Sequence, residues 1–126
     1  MSSTLTLNLA TIHIKNLRLR TFIGFNEEEK TKKQDVIVNI ILRYDAALAM
    51  TTDSVDDACN YKILTKKIIT LVEERSFDLL EKMAGDIIAL IATAEKVLEA
   101  SVKIDKPHAL RFADSVSVEM SYTKKL

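Results

Sequence analysis

From Val36 to Tyr44 the chain alternates without a break, so that Val36, Val38, Ile40, Leu42 and Tyr44 fall on one side of an extended segment. Only a strand, with its period of two, puts all five on one face, and this fixes a sheet with one deeply buried side. The other side carries Ile37 and Ile41 beside Asn39 and Arg43. A sheet face that is half apolar is a poor surface to leave in water, and an open sheet has edges that pair with a neighbour's strands. The chain is therefore expected to form a homo-oligomer in which the sheets of several copies close a barrel.

The flanking segments agree with a layered fold. Ile12 and Ile14 alternate with His13 and Lys15, then Leu17 and Leu19 with Arg18 and Arg20, and the phase slips at Asn16. This predicts one long first strand carrying a bulge. Gly24, Asn26 and the run Glu27-Glu28-Glu29-Lys30 break the pattern and predict a charged loop. After a polar connection over Thr51 to Asn60, Leu64, Ile68, Leu71 and Val72 take helical spacing, which predicts a helix from Tyr61 to Arg75. Leu80, Met83, Ala84, Ile87, Ile91 and Leu98 extend an apolar stripe that predicts a second helix from Leu79 to Ala100. Val102 and Ile104 predict a short third strand, and Val116, Val118, Met120 and Tyr122 a fourth. The order is ββααββ: an α+β fold with an antiparallel four-stranded sheet and two helices on one face. Two glycines and one proline punctuate the whole sequence, and there is no repeat or linker. Residues 1–126 are expected to be one domain, with 1–9 a flexible or edge segment.

Eighteen basic and eighteen acidic residues leave no net field to draw nucleic acid or an anionic membrane, so neither is an expected partner and any anion site must be local. Met1 to Leu9 lacks the basic and apolar regions of a signal peptide. No apolar run approaches the ~18 residues of a membrane span, and a cytoplasmic protein is expected. Cys59 is the single cysteine, and His13 and His108 lie far apart, so no metal site is expected and none of the phosphate-loop glycine patterns is present. Ionisable groups do gather at element ends, where sites are usually built: Glu29, Tyr61, Glu81 and Lys106. By pattern alone each of these is also a normal solvated group.

Motifs add what pattern does not. Gly24 with Glu29, Gln34 opening the second strand, Asn60-Tyr61, Leu79-Leu80-Glu81-Lys82 and Ile104-Asp105-Lys106-Pro107 together resemble the dihydroneopterin aldolase family, in order and spacing over nearly the whole chain. The run from Ile14 to Gly24 and the run from Lys106 to Ser117 most resemble its dihydroneopterin triphosphate 2'-epimerase branch. Phe22-Ile23 replaces the aromatic and histidine residues that often precede the loop glycine in aldolases, which favours that branch. Lys106-Pro107 is a pairing aldolases also use, so aldolase activity stays open. A non-catalytic pterin- or purine-binding module of the same fold is the third reading.

The resemblance implies the tunnelling fold, with four subunits in a ring around a β-barrel and two rings stacked as an octamer. It implies sites shared between neighbouring subunits and retro-aldol chemistry without a cofactor. Glu81, with Leu80 beside it, matches the pterin-binding position. Lys106 matches the lysine near N5 of the dihydropterin, and Glu29 and Tyr61 match residues near the substrate's side chain. For a triphosphate tail the candidates are Arg18, Arg20, His108 and Arg111, with Lys15, Lys30, Lys32 and Lys33 as further cations.

Overall fold

The alternation and its slip at Asn16 govern how the sheet is built. In the computed structural model, which describes residues 8–125, β1 (Leu9–Ile23) pairs antiparallel with β2 (Gln34–Asp45). Ile14 faces Ile40 and Leu17 faces Val38, so Lys15 and Asn16 together span the step that Asn39 makes alone. That is the expected bulge. Asn16 takes a left-handed φ of 52°, which asparagine tolerates better than most residues. Its N–H donates to Asn39 Oδ1 at 2.8 Å, and Asn39 Nδ2 donates back to Asn16 Oδ1 at 3.3 Å. Ile12, Ile14, Leu17 and Leu19 thereby share the face of Val36, Val38, Ile40 and Leu42.

The polar connection holds a short helix, α1 (Ala49–Thr52), and a single 3-10 turn at Val55–Asp57. There follow α2 (Tyr61–Glu73), β3 (Ser76–Phe77), α3 (Leu80–Ala92), β4 (Val97–Pro107) and β5 (Ser115–Thr123). The core lies between the sheet and the α2–α3 layer, with Ile40, Leu42, Ile68, Met83, Ile87, Ile91 and Ile104 buried at its centre. The architecture is α+β.

Three expectations need correction. The sheet has five strands, in the order β3-β1-β2-β4-β5, rather than four, because Ser76–Phe77 pairs parallel with Phe22 and Ile23. A short third helix, α1, accompanies the expected pair. The second long helix stops at Ala92 rather than Ala100, and Val97 to Ala100 belong to β4. Its end closes without glycine: Thr93 Oγ1 donates to the Leu90 carbonyl at 2.6 Å, Ala94 N–H to Ile91 at 2.9 Å and Val97 N–H to Ala94 at 3.1 Å. Val97 is then fully buried opposite Tyr44, where a β-branched residue fits the pleat. Of the expected N-terminal segment, residues 1–7 lie outside the described residues, and Leu9 already opens β1. β1 from Leu9 to Thr21 is paired on the β2 side alone among the described residues, and β5 only with β4, so the sheet has two long open edges.

Candidate active site

The site is built where β1 ends. Gly24 N–H donates to the Phe77 carbonyl at 2.9 Å, which joins the end of β1 to the lead into α3. Gly24 has φ of 127°, a region that L side chains avoid. The Glu29 side chain folds over its α-carbon, and a Cβ there would overlap the carboxyl carbon and both carboxyl oxygens. Gly24 is thus required twice, for its backbone angle and for the space Glu29 occupies. Gly24→Ala is expected to destabilise the fold by about 1–3 kcal/mol and displace Glu29. Thermal unfolding together with turnover checks this, and a variant with both unchanged would refute the contact.

Glu29 is held from its own loop. Its N–H donates to Asn26 Oδ1 at 2.9 Å, and Asn26 N–H donates to Glu29 Oε1 at 3.4 Å. This is the reciprocal geometry of a capping box, placed in a loop. Gln34 Nε2 donates to the Ile23 carbonyl at 2.7 Å and closes the base of the loop. From across the sheet Lys106, near the end of β4, forms an ion pair with Glu29 through Nζ and Oε2. Both side chains are largely buried, at 13% and 20% exposure, so the pair is shielded enough to matter.

The Lys106 hydrogen bond is the main reason the Glu29 carboxyl lies below its ordinary range; burial opposes it, and the Asn26 N–H, the Lys106 charge and Gln34 assist. A folded-state pKa below the unfolded one adds stability above the unfolded value, and this is lost as pH falls through the folded value. The stability lost in Lys106→Met should accordingly be largest near neutrality and shrink below about pH 5. Denaturant titrations across that range decide it, and a gap that widened in acid would contradict the pairing.

Glu81 is exposed in the first turn of α3, and Leu80 beside it is buried. Both lie within four residues of Phe77, and so at the Gly24 end of the subunit. Tyr61 is elsewhere. It opens α2, and the other end of that helix is the one tied to this region, through Arg20 N–H to Glu73 Oε2 at 3.2 Å and Thr21 Oγ1 to the Arg75 carbonyl at 2.8 Å. A helix of this length puts Tyr61 about 18 Å from that end. One chain therefore brings Glu29 and Lys106 together, with Glu81 and Leu80 at the same end, and leaves Tyr61 apart.

Arg18, Arg20 and His108 line one cleft of about 480 Å³ with Gln34 and Pro107. Lys32 and Lys33 line a second, of about 320 Å³, with Glu29, and Gln34 forms a wall of both. Arg111 is in neither lining; it sits on the β4–β5 loop, 5.5 Å from the Phe112 ring centre. Lys15 and Lys30 are exposed and also outside both. Asn26 was missed by sequence reasoning, although Asn26-x-x-Glu29 has the spacing of a capping box. Among the described residues no three His, Cys, Asp or Glu side chains are grouped to hold a metal ion.

The α+β fold and a Glu–Lys pair beside a loop glycine fit the resemblance seen in the motifs, and the chain belongs to the dihydroneopterin aldolase (FolB) family, which it matches over residues 12–121. It is 48% identical to the dihydroneopterin triphosphate 2'-epimerase of Escherichia coli over 115 residues, 91% of this chain and 96% of that one. To the Pseudomonas aeruginosa enzyme of the same name it is 49% identical over 113 residues, covering 90% and 92%. Among solved structures, E. coli dihydroneopterin aldolase in complex with neopterin superposes with a TM-score of 0.85 at 26% identity, covering 90% of this chain and 98% of that one.

Proposed function

We propose that this chain inverts C2' in the side chain of 7,8-dihydroneopterin triphosphate, giving dihydromonapterin triphosphate by retro-aldol cleavage and re-addition. The observation that carries this reading is the Glu29–Lys106 pair against Gly24, in a chain nearly half identical to epimerases over nine-tenths of its length. Glu81 accepts parallel hydrogen bonds from the pterin 2-amino group and N3–H, the charge-assisted arrangement a carboxylate makes best, while Leu80 lies beside the ring. Loss of the C2' hydroxyl proton breaks the C1'–C2' bond. C2' becomes an aldehyde carbon, and the bonding pair passes into the dihydropterin, which is its own electron sink. The Lys106 ammonium near N5 stabilises that charge or supplies a proton. A carboxylate with a depressed pKa is a weak base, so Glu29 serves better as an acceptor that holds side-chain hydroxyls. If the aldehyde turns its other face and re-adds, C2' is inverted.

Tyr61 acts near C1' from a neighbouring copy, a reading supported by its place at the end of α2 opposite the one tied to β1. The chain works as a single domain in the cytoplasm, in rings of four tunnelling-fold subunits stacked as an octamer. The open edges of β1 and β5 and the half-buried Ile37 and Ile41 on the face away from the helices support this assembly. Light scattering is expected to give a mass near eight chains; a single species near 14.2 kDa would end both the assembly and the shared site.

If the aldehyde leaves instead of re-adding and C1' takes up a proton, the outcome is dihydroneopterin aldolase chemistry, which from dihydroneopterin gives 6-hydroxymethyl-7,8-dihydropterin and glycolaldehyde. Family membership and the likeness to the neopterin-bound aldolase favour this second reading. Chiral chromatography of products from dihydroneopterin and its triphosphate, offered in parallel, separates the two. Inverted triphosphate as the main product is expected, and hydroxymethyl-dihydropterin as the main product from both substrates would overturn the proposal.

A further inference from the structure

We infer that the cleft between Arg18, Arg20 and His108 is the subsite for the substrate's triphosphate tail, and that Asp35 sets how tightly it holds. This rests on the epimerase reading for the identity of the substrate and deepens it by assigning the tail to named residues.

Three observations converge. The first is position: Gln34 lines both this cleft and the one containing Glu29, so phosphates extending from a side chain held at Glu29 have this cleft beside them. The second is chemistry, because two arginines and a histidine line one space of about 480 Å³. A guanidinium offers a planar fork of N–H donors that matches phosphate oxygens, which a single lysine ammonium does not. Among the described residues Arg18 has no carboxylate within salt-bridge distance, so its donors are available. His108 is turned by a left-handed φ of 62° just past Pro107, at the mouth of the β4–β5 loop.

The third observation is Asp35, the one carboxylate in the lining of this cleft. It pairs with Arg20 Nε at 3.3 Å, while Arg20 Nη2 donates to the Lys33 carbonyl at 3.0 Å. Arg20 is thereby turned toward Asp35, which is the internal anion with which a phosphate competes. Both partners are well exposed, so the pair exchanges readily with a more highly charged anion. A polyphosphate outcompetes this carboxylate; a neutral hydroxyl tail does not. The cleft therefore discriminates for triphosphate over the unphosphorylated pterin.

The experiment uses the intact protein and three exposed substitutions. Combining Arg18→Gln, Arg20→Gln and His108→Gln should lower the ratio of kcat/KM for the triphosphate to that for dihydroneopterin by about 100-fold. Asp35→Asn should move the same ratio the other way by a few-fold, since it removes a repulsive charge and frees Arg20, and a misfolded variant would not gain selectivity. Inorganic tripolyphosphate should bind the wild-type protein in calorimetry and bind the Arg18→Gln variant more weakly. An unchanged ratio in the triple variant, or tripolyphosphate binding indifferent to Arg18→Gln, overturns the subsite. Wild-type protein that turns over neither pterin sinks the epimerase reading alone, because the tripolyphosphate titrations still decide whether the cleft takes the anion.

Discussion

Lys106→Ala is expected to reduce turnover by about 100-fold or more while moving pterin affinity far less. The lysine reaches Glu29 from the end of β4, and its proposed work is confined to breaking and remaking a carbon–carbon bond. Cleavage and re-addition pass through the same electron-rich pterin, so epimerisation and any aldolase side reaction should fall in parallel. The substitution also removes the hydrogen bond that keeps Glu29 below its ordinary pKa, and the acid limb of the remaining activity should shift upward. Single-turnover and steady-state measurements on both reactions test this. A Lys106→Ala protein that lost aldolase activity yet epimerised at the normal rate would show that inversion does not proceed through cleavage.

Glu81→Ala should abolish measurable pterin binding. Two charge-assisted hydrogen bonds, worth about 1.5–3 kcal/mol each, disappear at the donor edge of the ring. The cost to folding should be small by comparison, because an exposed first-turn glutamate contributes about 0.3–1 kcal/mol through the helix dipole. Calorimetric titration with neopterin beside an unfolding curve separates the two effects. Unchanged affinity would remove Glu81 from the site.

Much of this fold was legible in the chain because its strands are long enough to display their period. The alternation over Val36–Tyr44 and the slip at Asn16 correspond to β2 and the β1 bulge. The end of α3 was not legible: Ile91 and Leu98 are seven apart, a helical spacing, and the turn between them is made by Thr93 and Ala94 without glycine or proline. A strand as short as Ser76–Phe77 shows no alternation at all. The Glu29–Lys106 contact joins residues 77 apart in sequence, so motif resemblance named its members while no local pattern could pair them. The space Glu29 takes above Gly24 depends on a side chain returning across a loop, which a backbone pattern does not encode.

The bulge at Lys15 and Asn16 behaves like a frame correction in the strand. Two residues stand where one would keep step, so removing either of them leaves Ile14 and Leu17 still pointing into the core. Removing a residue almost anywhere else in β1 would transpose everything on one side of the cut, driving Arg18 and Arg20 inward or Ile12 and Ile14 outward. What shortening at the bulge would erase is the local bend, and with it the angle at which both arginines are aimed. The strand thus keeps its inside and outside by alternation and steers its charged end by a single surplus residue.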